Sequence, residues 1–239
     1  MSGLTRQEMK RDEVREWIVV AIDWIADHVK VLFAVLGGLI ALGVVLALVF
    51  QFLGNRAQRA QEELAEAIRF YTAPIDAATP DPDDAKNPVF ASEADRGARA
   101  EPIFERVHER FGSTAAGRIA GAYLGEIAAS RGDFEAARQH WQRYLEKDSQ
   151  SALAATVRLD LISLERQTGA GEQLAADLRD AIESGSWSVP SDVLLWELGL
   201  TLEQQGQPDE ARDAFQRLVD EHPTSAYATR ARERIGDAA

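Results

Sequence analysis

Apolar residues along this chain fall into two regimes with different periods. From Val31 to Asn55, 25 consecutive residues carry no charge, and the apolar positions go all the way around a helix. A helix with no polar face has nowhere to meet water, and at about 1.5 Å per residue Val31–Leu53 reaches about 35 Å, against a hydrocarbon core of about 30 Å. The pattern predicts a membrane-spanning helix over 31–53. A cleaved secretory leader does not fit, because the stretch exceeds an h-region, thirty residues precede it and no small-x-small site follows.

Before the span, Val14, Ile18, Ala21, Ile22, Ile25 and Val29 recur at helical spacing, flanked by Trp17 and Trp24, with Glu16, Asp23 and Asp27 opposite. This predicts an amphipathic segment over 1–30, lying at the membrane interface or against another membrane protein. Arg6, Lys10, Arg11, Arg15 and Lys30 precede the span, while Arg56, Arg59 and Arg69 follow it, so the bias places the N-terminus in the cytoplasm. Within the span, Ala34/Gly38, Gly37/Ala41 and Gly43/Ala47 would let a second helix come close, including that of another copy.

After the span, the period becomes that of amphipathic helices. Residues 56–72 put Leu64, Ala67, Ile68 and Tyr71 on one face. Residues 74–90 hold four prolines and four aspartates and predict a long loop, either mobile or functional, within a linking region over 54–92. Its DPDD run lacks the glycine and closing glutamate of a calcium loop and reads as a solvated turn.

From residue 93 to 239 the chain repeats itself. Gly132, Gly169 and Gly206 are spaced by 37 residues. In phase with them run Ala100, Ala137, Leu174 and Ala211, then Phe104, Trp141, Leu178 and Phe215, then Val107, Tyr144, Ala181 and Leu218. Small, bulky and apolar residues at i, i+4 and i+7 after a glycine describe one face of a helix that follows a helix-ending turn. The unit is a helical hairpin stacked on its neighbours, and the fold class is all-α: one transmembrane helix followed by a helical-hairpin solenoid.

These residues resemble the tetratricopeptide repeat. The fourth copy fits best, with Leu195, Leu198, Gly199, Gly206, Ala211, Phe215 and Pro223; the second keeps Leu124, Gly125, Gly132, Ala137 and Trp141. The third departs, with Ile162 at the small position and Leu178 at the aromatic one. The first keeps its second helix alone, so 56–72 would serve as its first helix across the loop, and 224–236 would cap the stack.

A charged N-terminus, one span, the helix end AIRFYTAPI and divergent repeats together resemble bacterial membrane-anchored repeat proteins similar to the ancillary subunit of the SecYEG translocon. That resemblance implies a periplasmic repeat domain on the bacterial inner membrane, with export channel subunits, chaperones or exported chains as partners. The alternative is a scaffold for outer-membrane or wall assembly that uses the same groove.

The resemblance assigns the first helix of each hairpin to a concave groove. It nominates Ala122, Glu126, Ala129 and Ser130; then Thr156, Leu159, Ser163 and Arg166; then Val193, Trp196, Leu200 and Glu203. Trp196 reads equally as a partner anchor or as interhelix packing. Carboxylate clamps of such repeats need lysine and asparagine, where this chain has Glu126, Leu159 and Asp160, so that activity is not implied.

Composition narrows the chemistry. The 239 residues include 26 basic and 39 acidic side chains, a net charge of −13, which argues against nucleic acid as a partner. There is no cysteine, hence no disulfide and no thiolate chemistry. His28, His108, His140 and His222 show no ligand spacing, and no nucleophile elbow or phosphate loop occurs. The sequence predicts no enzyme, cofactor or metal.

Overall fold

The computed structural model describes residues 6–84, 86–169 and 171–237. They form α1 (Arg6–Tyr71), α2 (Glu93–Phe111), α3 (Ala115–Ser130), α4 (Phe134–Lys147), α5 (Ala152–Thr168), α6 (Gly171–Ser184), α7 (Ser191–Gln204), α8 (Pro208–Glu221) and α9 (Ala228–Asp237), with no β-strand among the described residues. The chain divides into two compact units, residues 1–56 and 57–239.

In the first unit, every described side chain from residue 36 to 53 is exposed, including Phe50 and Phe52. This part of α1 is long and apolar enough to cross a membrane. Nothing within 4 Å would meet a side chain added at Gly37, Gly38 or Gly43. Apart from exposed Trp24, the side chains of the stripe expected over 14–29 lie outside the described residues.

The second unit begins inside the same helix. Ala60, Leu64, Ala67 and Phe70 are buried with Ala100, Phe104 and Val107 of α2, and Ile68 and Tyr71 pack beside them. Residues 57–71 therefore act as the first helix of a hairpin whose second helix is α2. The loop between them is tied at both ends: Ile75 bridges to Phe90 and Asp81 to Val89, and Phe90 sits edge-on to Phe70. Its acids cap turns. Asp84 accepts from the backbone of Lys86 and Asn87, and Asp76 from Ala78 and the Thr79 hydroxyl.

Three hairpins follow: α3/α4, α5/α6 and α7/α8. Gly132, Gly169 and Gly206 adopt φ of 81°, 85° and 72°, the left-handed region that lets each hairpin reverse. Every residue of the small–bulky–apolar series is buried in all four copies. Ser92, Thr114, Asp133 and Ser151 cap α2, α3, α4 and α5 by accepting from a backbone N–H three residues on. α9 closes the stack through Ala228 and Ala231 against the α7/α8 core.

Hairpin α5/α6 is built differently. Gly125 lets Trp141 lie against α3, and Gly199 does the same for Phe215 against α7. With Ile162 in that place, α5 and α6 touch far less than the helices of the flanking hairpins. A cavity of about 390 Å³ lies among α4, α5 and α6, lined by Leu145, Leu161, Ile162, Glu165, Asp177 and Trp187, with Arg158 stacked 4.3 Å from the Trp187 ring centre.

Candidate functional site

The nominated residues recur at 37-residue spacing on α3, α5 and α7, and the structure leaves them in unequal states. Glu126 is exposed, whereas Leu159, Val193 and Leu200 are half-buried against the α7/α8 core. The Ser130 hydroxyl donates to the Ile127 carbonyl at 2.7 Å, and Ser163 accepts from Gln167 at 3.1 Å. Ala122 is buried, Ala129 half-buried and Thr156 exposed.

Trp196 is 8% exposed. Its ring lies 5.5 Å from Tyr227, nearly parallel to it, and 5.4 Å from Phe215. Of the two roles the sequence left open, the structure gives it interhelix packing.

Arg166 and Glu203 are both committed within the stack. Arg166 meets Glu197 at 2.5 Å with both side chains mostly covered, and Arg234 of α9 reaches Glu203 at 2.9 Å. Gln204 donates to the Arg166 carbonyl, adding a second tie between α5 and α7.

The other end of this face differs. Tyr71, Tyr123 and Phe104 form an aromatic cluster, with Tyr123 stacked 4.9 Å from Phe104 and Tyr71 edge-on 5.4 Å from Tyr123. The Tyr71 hydroxyl donates to Glu126; burial, then the Glu126 charge, pushes that phenol up, and the Tyr123 phenol rises for the same reasons. The same carboxylate acts on Asp160. Burial, then Glu126, pushes its carboxyl up to about 6. Tyr71, Tyr123 and Glu197 are members of this face that helix-by-helix reading missed. Tyr123, Asp160 and Glu197 are spaced by 37 residues, so the repeat register carried a signal for the last two.

A second pair of groups comes together on the opposite helices. The His108 and His140 rings lie 5.9 Å apart, and His108 Nδ1 is 2.9 Å from the Gly117 carbonyl. Burial, then His108 and Arg143, pulls the His140 imidazole below its ordinary range. Glu101, which lines a cavity with these two histidines, is held by Arg131 in a two-point pair at 2.6 Å. Among the described residues no group of three histidine, aspartate or glutamate side chains could hold a metal ion.

The sequence model of a family described as "Tetratricopeptide repeat-like domain" matches residues 30–234. No curated protein matches the chain. Among solved structures it is similar to BtubC (BKLC) from P. vanneervenii, at 14% identity and a TM-score of 0.48, covering 61% of this chain and 68% of that one. It is similar to YrrB, described as a TPR protein with an unusual peptide-binding site, at 16% identity and a TM-score of 0.42, covering 60% and 68%. Similarity to MamA AMB-1 is at 20% identity and a TM-score of 0.42, covering 61% and 79%.

Proposed function

The chain belongs to the tetratricopeptide repeat-like domain family, and on that premise we propose that it is a single-span membrane adaptor whose α3–α5–α7 face holds segments of other polypeptides. Families of this fold are generally non-catalytic protein-binding scaffolds. The observation that carries the reading is the joining, in one chain, of an exposed apolar stretch of helix to a repeat stack. A lipid tether turns weak encounters into a high local concentration at the membrane surface.

In this reading the N-terminus is cytoplasmic and the repeat domain stands on the outer side of a bacterial inner membrane, beside the SecYEG export channel. The charge bias across the span and the order of features along the chain support it. A tag placed after Ala239 should be digested by protease in spheroplasts while an N-terminal tag stays protected; the reverse pattern ends the proposal. A photo-crosslinker at Ser163 should then capture export channel subunits and exported chains. Capture of outer-membrane or wall-assembly proteins instead would favour an envelope scaffold.

A further inference from the structure

Helix α5 carries charge where the next hairpin carries core. Arg158 and Glu165 stand 37 residues before Leu195 and Leu202, both fully buried in hairpin α7/α8. In α5 the two ions line the cavity of about 390 Å³, whose floor is Leu145, Leu161 and Ile162, all buried. Two helical turns, about 10.5 Å, separate Arg158 from Glu165 on one side of the helix, with Leu161 and Ile162 between them.

One wall of the cavity is Trp187, in the segment between α6 and α7. That segment is held in place: Val189 is buried in the core of α6, α7 and α8, and Gln150 donates to the Ser186 carbonyl at 3.1 Å. The Arg158 guanidinium lies 4.3 Å from the centre of the Trp187 ring. Stacking occupies the face of a guanidinium and leaves the N–H donors of its plane available. Among the described residues, neither Arg158 nor the Glu165 carboxylate makes a hydrogen bond or an ion pair. Burial pulls the guanidinium below its ordinary range and pushes the Glu165 carboxyl above its own.

A donor fork and an acceptor set over an apolar floor, in a cavity of this size, are the makings of a ligand pocket. Its occupant must bring an acceptor to Arg158, a donor to Glu165 and apolar bulk to the floor. Glu146, Glu165 and Asp177 line the cavity against one cation, so a free carboxylate is repelled. Peptide groups supply C=O and N–H with no net charge.

We propose that this cavity takes an internal segment of a bound polypeptide, with one bulky apolar side chain on the Leu145–Leu161–Ile162 floor and the adjoining peptide groups between Arg158 and Glu165. The site shares no residue with those nominated on α3, α5 and α7, and gives the stack a second foothold on a partner.

The test uses the full-length chain in zwitterionic detergent micelles. The probes are amidated heptapeptides of glycine and serine with a central leucine, phenylalanine or serine, capped with tetramethylrhodamine and read by fluorescence anisotropy. The leucine and phenylalanine peptides should bind about tenfold more tightly than the serine peptide. A peptide that ends in a free carboxylate directly after phenylalanine should bind more weakly than the amidated one. Arg158→Leu combined with Glu165→Leu, which installs the residues of the next hairpin, should melt at or above the parent and bring all the peptides to the level of the serine peptide. Arg158→Gln decides the matter if the double variant does not fold. Equal binding of leucine and serine peptides, or a preference that survives these variants, overturns the pocket and leaves the α3–α5–α7 face standing. Tighter binding of the free carboxylate overturns the internal segment as the occupant. Binding of none of the peptides overturns the pocket, while the α3–α5–α7 face is still judged by crosslinking from Ser163.

Discussion

Gly199 of α7 lies so close to the ring of Phe215 in α8 that a methyl group on it would sit 2.3 Å from Cε1 of that ring. Phe215 is 1% exposed and has no room to retreat. Gly199→Ala should therefore cost about 1–3 kcal/mol through overpacking, although alanine is the better helix former. Gly206→Ala, at a φ of 72°, should cost about 1 kcal/mol by backbone strain alone. Urea melts followed by circular dichroism check both; a Gly199→Ala variant as stable as the parent would show that α7 and α8 can slide apart freely.

Trp196 makes a sharper distinction. Its ring is covered by Tyr227 and Phe215, so Trp196→Ala should lower stability by about 3–5 kcal/mol. A partner-facing anchor would behave otherwise, losing binding with little change in the melt. Thermal unfolding of Trp196→Ala and Trp196→Phe, the latter expected to lose less, separates the two.

The hairpin unit was legible in the chain because glycine spacing and the small–bulky–apolar series are one-dimensional signals, and Gly132, Ala137 and Trp141 do what their spacing implies. The ion pairs were not, because nothing in α5 read alone says that Arg166 points to α7 rather than into the groove. Only the contact between the two helices shows it. Trp196 stayed ambiguous for a related reason: the residue that covers it, Tyr227, lies beyond the last repeat, where the pattern stops. The loop over 74–90 read only as mobile or functional, because its proline and aspartate content hides Phe90, whose burial against Phe70 fixes its end. The register also passed over the widening of α5/α6, a consequence of Ile162 replacing glycine.

The Arg166–Glu197 pair has both side chains more than three-quarters covered. Removing one partner strands the other charge, so Arg166→Ala and Glu197→Ala should each cost about 3 kcal/mol, more than a surface pair would. The double variant should cost less than the sum of the two, with a coupling of about 1–3 kcal/mol. Strict additivity in chemical denaturation would mean that the pair contributes nothing beyond its separate packing.

Asp160 should leave its mark on stability as a function of pH. Its carboxyl is pushed from 3.8 up to about 6 by burial and by Glu126. The unfolded chain therefore releases this proton near pH 4, while the folded chain keeps it to about pH 6. In that window the folded state binds more protons, so the contribution of Asp160 to stability falls as pH rises through it and is flat above. Because the side chain is only half-buried, solvent screening reduces the loss to on the order of 1 kcal/mol. Asp160→Asn has no proton to lose: it should match the parent below pH 4, gain on it between 4 and 6, and hold a constant advantage at neutral pH. Melts at pH 3.5, 5 and 7.5, with Glu126→Gln as a second variant that shrinks the effect, check the sign. A difference between Asp160→Asn and the parent that does not change with pH would place the carboxylate in an environment no different from water.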